Sequence, residues 1–127
     1  MKPDEDHWRH ESRRLLIRLI QLARSGADDD LAPLVFYRGN DKERTWTVLA
    51  DPSLEDDRAY LGRLGRRIRN YMHQSTGYNL STFYTETDRD GTWHVWEVYF
   101  SKGIDNKICY FRFREHGNLF ALGDIDT

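Results

Sequence analysis

Residues 79–115 read NLSTFYTETDRDGTWHVWEVYFSKGIDNKICYFRFRE. Three runs rich in aromatic and β-branched side chains stand out: 79–87, 92–101 and 107–115. Such side chains suit a pleated, half-buried surface. Asp88-Arg89-Asp90-Gly91 separates the first two runs, and Lys102–Asn106 with Gly103 separates the next two. An Asp-Gly pair between two such runs signals a hairpin. His116-Gly117-Asn118 then leads to a short final strand at 119–125. Four strands joined by hairpins predict an antiparallel β-meander.

Upstream, Leu54, Leu61, Leu64, Ile68 and Met72 recur at helical spacing, with Tyr60 and Tyr71 beside them. They predict a helix over about 54–74. Asp51-Pro52-Ser53 precedes it, and Ser53 with Asp56 three residues on resembles a capping box. Leu31–Arg38 (LAPLVFYR) and Arg44–Leu49 (RTWTVL) flank Gly39-Asn40-Asp41-Lys42 and read as a hairpin. Pro33 lacks an N–H and belongs at a strand start or edge. Trp8, Leu15, Leu16, Leu19, Ile20, Leu22 and Ala23 form a helical stripe over about 7–25, stopped by Ser25-Gly26. Residues 1–6 are polar and read as frayed. The order α-β-β-α-β-β-β-β, with mostly antiparallel pairing and two amphipathic helices, predicts an α+β two-layer sandwich. At 127 residues the chain reads as one domain.

Hydrophobic residues make up 39% and charged residues 31% of the chain, which fits a small soluble domain with its own core. Nineteen basic and 21 acidic residues leave a net charge of −2, which excludes a globally basic coat for DNA. The single cysteine, Cys109, excludes an internal disulfide and a cysteine-based metal centre. With no apolar run near membrane length and no visible secretory signal, the expected compartment is the reducing cytoplasm.

No motif names a reaction. His7-Trp8-Arg9-His10-Glu11 lacks the HExxH spacing and reads as a polar helix start whose Trp8 packs on the core. His73, His94 and His116 are scattered over a helix end, a strand and a turn. Cys109 alternates with Phe111 and Phe113 and should face the core as an inert thiol. Gly62-Arg63-Leu64-Gly65-Arg66-Arg67 is not a phosphate-binding loop, because it lies inside a helix and lacks the lysine. Its two glycines suggest close packing. The pairs Asp88/Asp90 and Asp124/Asp126 sit where solvated turn chemistry is routine. No catalytic residue, metal ligand or cofactor is expected.

Charge and aromatics carry more. Residues 9–24 hold five Arg against Glu11 alone, and residues 58–73 hold five Arg and no acid. Residues 79–127 hold five basic and eight acidic residues. The helical layer is therefore basic and the sheet segment acidic. In 92–101, His94, Trp96, Val98 and Phe100 share one face, and Trp93, Val95, Glu97 and Tyr99 share the other. Tyr110, Arg112 and Arg114 alternate with Cys109, Phe111 and Phe113. A sheet face mixing Trp, Tyr and Arg suits an interface hot spot or a base-stacking platform. Alternatively both faces are covered, for instance in a homodimer. Lys107–Phe113 lacks the glycines of an RNA-recognition motif, and no helix-turn-helix is present.

The α-β-β-α-β-β order with its Asp-Gly hairpin resembles, in topology only, small bacterial immunity proteins of the YezG type. That resemblance implies a protein that occludes a partner, and it assigns no residue. The expected function is non-catalytic protein binding through Arg63, Arg66, Arg67, Arg112, Arg114, Trp93, Tyr99 and Tyr110. The alternatives are nucleic-acid binding by helix arginines and sheet aromatics, or a small ligand binder or enzyme using His94.

Overall fold

Four strands form one antiparallel sheet in chain order: β1 (Gly77–Asp88), β2 (Gly91–Lys102), β3 (Asp105–His116) and β4 (Leu119–Asp126). The computed structural model describes residues 5–37 and 46–127. Two-residue loops join neighbouring strands. Gly103 and Gly117 take positive φ of 64° and 59° in the second and third loops, the left-handed conformation that tight hairpin turns require.

Pairing places Phe83, Trp96, Phe111 and Ile125 in one row, and Phe100, Val98, Cys109 and Phe113 on the same face. Helices α1 (Glu5–Arg24) and α2 (Glu55–Met72) pack on that face. Phe100, Phe111 and Phe113 are fully buried, as are Leu16, Leu19, Leu61 and Ile68 from the helices. Burying one such side chain stabilises the fold by roughly 1.5–3 kcal/mol. The fold is α+β with the order α-β-β-α-β-β-β-β, its first two β segments marked among the described residues by the isolated bridges Val35–Leu122 and Phe36–Leu49. No helix among the described residues is long and apolar enough to cross a membrane.

Four features differ from the sequence reading. First, α1 begins at Glu5, so Glu5 and Asp6 form its first turn rather than a frayed end; residues 1–4 lie outside the described set. Its C-terminus is a Schellman motif, with Ala27 N–H on Leu22 O (3.0 Å) and Gly26 N–H on Ala23 O (3.1 Å).

Second, Asp28–Leu34 is a 3-10 helix, where a strand from Leu31 was expected. It buries Leu31 and Ala32 against both helices, and the fixed φ of Pro33 suits that winding. Val35 and Phe36 bridge to Leu122 in parallel and to Leu49 antiparallel. The expected hairpin loop at 39–42, with Arg44 and Thr45, lies outside the described residues.

Third, the capping box does not form. The N-cap of α2 is Leu54, without a side-chain cap. Instead Asp51 Oδ1 accepts from the Ser53 N–H and hydroxyl (2.9 and 2.7 Å), while buried Asp57 accepts from the Asp51 N–H (2.9 Å). A carboxylate in the first turn also complements the helix dipole.

Fourth, the buried stripe of α1 includes a polar residue that the apolar spacing did not name, Ser12. It is fully buried, accepts from Trp96 Nε1 (2.8 Å) and donates to Trp8 O (2.6 Å). That pairing satisfies an indole N–H inside an otherwise apolar core, where an unmet donor is costly.

Candidate functional site

Helix α2 turns Leu61, Leu64, Gly65, Ile68 and Tyr71 inward. Arg63, Arg66, Arg67 and Asn70 follow at i, i+3, i+4 and i+7, so they form one exposed row. The row lies beside β4, because Arg67 donates from Nη2 to Ile125 O (2.6 Å) and from Nε to the Tyr71 hydroxyl. Arg63 and Arg66 make no ion pair or hydrogen bond among the described residues. Two other arginines of the helix are committed elsewhere. Arg69 binds Asp28 at 2.7 Å and Ala23 O at 2.9 Å, and Arg58 meets Asp29 at 3.4 Å. Gly65 lets Asp28 approach, since a Cβ there would overlap its carboxylate, whereas a Cβ on Gly62 would meet nothing within 4 Å.

The outer sheet face is closed at one end and open at the other. At the closed end Trp93, expected as an exposed anchor, is 1% exposed. Trp46 meets its ring edge-on at 4.9 Å, and the Arg112 and Arg114 guanidiniums lie over it at 4.4 and 4.7 Å. The β4 bulge leaves Gly123 beneath the indole, where any Cβ would collide with Trp93 and press on Trp46. Arg112 is also ringed by Glu86 (3.0 Å), Asp88 (3.4 Å) and Asp126 (3.6 Å). Arg114 donates to Asp90 O at 2.9 Å, and burial lowers its pKa below the usual arginine value. These two cations are held inside the chain's own network rather than offered to solvent.

At the open end Tyr84, Tyr99 and Tyr110 are half-buried. Tyr99 donates to Glu97 Oε1 at 2.7 Å. Burial, and then the neighbouring Glu86, raise the Tyr84 hydroxyl above the ordinary tyrosine value.

Two open depressions adjoin here and share Arg67. The larger, about 560 Å³, is lined by Arg67, Tyr84, Glu86, Tyr110, Arg112 and Asp126 among others. The smaller, about 320 Å³, is lined by Arg63, Arg66, Arg67, Asn70, Tyr71 and Lys107 among others. The first mixes both signs of charge around tyrosines, and the second has four cations. Asp124, near their junction, has its pKa raised by burial and by the hydrogen bond it shares with Asp126. Of the eight sequence-derived residues, Arg63, Arg66, Arg67, Tyr110 and Arg112 thus come together. Trp93 and Arg114 sit under Trp46, and Tyr99 lies further along the open face, opposite Ile108.

The candidate chemistries look different in place. His7 and His10 are exposed, and Trp8 packs inward on His94 (4.9 Å) and Phe120 (4.8 Å). His94 itself is buried and hydrogen-bonded to Thr85 at 3.1 Å; burial pulls its pKa down to about 4. Burial pushes the Cys109 thiol up to about 11. No cluster of three or more His, Cys, Asp or Glu side chains could hold a metal among the described residues.

Sequence reasoning missed Tyr84, Asn70 and Lys107. Tyr84 alternates with Phe83 in the right period to be found. Asn70 and Lys107 become neighbours only through the docking of α2. No protein-family model matches the chain, and no curated protein or solved structure matches it.

Proposed function

We propose that this protein is a non-catalytic binding module that occludes or scaffolds another protein through the paired depressions between α2 and the outer sheet face. The observation that carries this reading is the juxtaposition of Arg63 and Arg66, which make no hydrogen bond or ion pair among the described residues, with half-buried Tyr110 and Tyr84. Arg and Tyr are the side chains interfaces use as desolvated anchors. The surface is shallow and mixed in charge, which suits a protein partner better than an enclosed small ligand.

The buried, neutral states of His94 and Cys109 favour binding over catalysis, since neither is held as a reactive group in a cleft. Nucleic acid fits less well. The tyrosines that would stack on bases stand among Glu86, Glu97 and Asp126, which repel phosphates. A lone buried thiol accords with a reducing cytoplasm as the place of action.

Affinity capture from a lysate of the native host tests the reading, using wild type and a variant carrying Arg66→Glu and Tyr110→Ala. A stoichiometric protein held by wild type and lost by the variant supports it. Recovery of nucleic acid alone, released at moderate salt, contradicts it.

A further inference from the structure

We infer that the smaller depression is a carboxylate-recognition site for an acidic segment of a protein partner. This inference rests on the binding reading above and names the partner's chemistry. Four cations, Arg63, Arg66, Arg67 and Lys107, converge there, and the Asn70 side chain adds a polar group at the rim. Their availability differs. Arg67 gives two of its donors to Ile125 O and the Tyr71 hydroxyl, and the Lys107 ammonium lies 5.9 Å from the Tyr71 ring. Arg63 and Arg66 give no donor to another side chain or carbonyl among the described residues.

Those two guanidiniums stand one helical turn apart, a spacing of about 5–6 Å at Cβ. Two carboxylates one turn apart on a partner helix match that spacing, and so do alternate residues of a partner strand, about 6–7 Å apart. Each guanidinium can grip one carboxylate through two parallel N–H donors.

The neighbourhood limits how long the anion can be. Beyond Arg67 three carboxylates, Glu86, Asp88 and Asp126, surround the one cation Arg112, so the surface turns acidic on balance. A long polyphosphate strand leaving the depression this way meets repulsion. A segment with a short acidic block followed by neutral, aromatic or basic residues meets none, because Tyr84, Tyr110 and the carboxylates then face complementary groups. The larger depression thus sets polarity: acidic residues over α2, basic or aromatic residues over the sheet.

Nuclear magnetic resonance titration of the full chain with a tetraglutamate peptide tests this, with oligothymidylate as the competing probe. The expected result is shifts of the Arg63 and Arg66 guanidinium and Lys107 ammonium signals. Arg63→Gln with Arg66→Gln should weaken tetraglutamate binding about tenfold, while Arg18→Gln on α1 leaves it unchanged. Two outcomes overturn the inference: equal shifts at the α1 arginines, or tighter binding of oligothymidylate than of tetraglutamate at equal charge. A natural protein partner retained by the double Gln variant but lost on Tyr110→Ala also overturns it, and leaves the protein-binding reading intact.

Discussion

The Arg67 guanidinium donates to the backbone carbonyl of Ile125 at 2.6 Å, joining a helix face to the outer edge of a sheet 58 residues away. The Phe36 N–H donates to Leu122 O at 2.8 Å on the same edge. Together they occupy carbonyls that an edge strand otherwise exposes to other chains. The contact also fixes where Arg63 and Arg66 stand, so one arginine of the row is structural and the other two make no hydrogen bond or ion pair among the described residues. Arg67→Ala should lower unfolding free energy by about 1–2 kcal/mol, while Arg63→Ala and Arg66→Ala should each change it by less than about 0.5 kcal/mol. Urea denaturation of the three variants measures this; equal losses at all three would refute the distinction.

The two glycines of α2 should respond with opposite signs. Gly62→Ala meets nothing within 4 Å and should stabilise by about 0.5–1 kcal/mol, because alanine orders the helix at less entropic cost. Gly65→Ala drives a methyl into the Asp28 carboxylate that Arg69 holds, and should destabilise by about 1–3 kcal/mol. Thermal melts of the two variants give the comparison.

The buried indole–hydroxyl pair should behave as a unit. Ser12→Ala leaves Trp96 Nε1 without its acceptor and should cost about 1–3 kcal/mol. Trp96→Phe removes the donor itself. In a double-mutant cycle the second substitution should recover part of the first loss, giving a coupling of about 1 kcal/mol. Strictly additive losses would mean the pair contributes nothing beyond packing.

Stability should also fall with acid through His94. Its folded pKa of about 4 lies below the ordinary 6.5. Above pH 6.5 the ring is neutral in both states. Between pH 6.5 and about 4 the unfolded chain takes up a proton that the folded chain refuses. Stability present at neutral pH is therefore lost as pH falls, by up to about 3 kcal/mol. Asp124 works oppositely, since its raised pKa makes its charged form unfavourable in the fold. Subtracting the profile of His94→Gln from that of wild type isolates the histidine. A flat difference from pH 7 to 4 would contradict its burial among Trp8, Phe83 and Phe120.

How far these features were legible depends on how local their causes are. The meander was readable because the aromatic and β-branched runs and the glycine turns between them act within a few residues. Leu31–Leu34 was not. An apolar run of that length has no periodicity to separate strand from helical turn, and the choice is made by Asp28 meeting Arg69, 41 residues on. The burial of Ser12 had no local signal, because its partner Trp96 is 84 positions away. In the site, the helical spacing of Arg63, Arg66 and Arg67 was visible. The burial of Trp93 was not, because it depends on Trp46 arriving from another segment and on a bulge at Gly123.

Hydrogen exchange on the complex with a captured protein partner tests the central claim most directly. The account predicts slowed exchange concentrated in residues 62–71 of α2 and 107–112 of β3, with α1 unchanged. Protection confined to α1, or to the outer edge of β1, would contradict it.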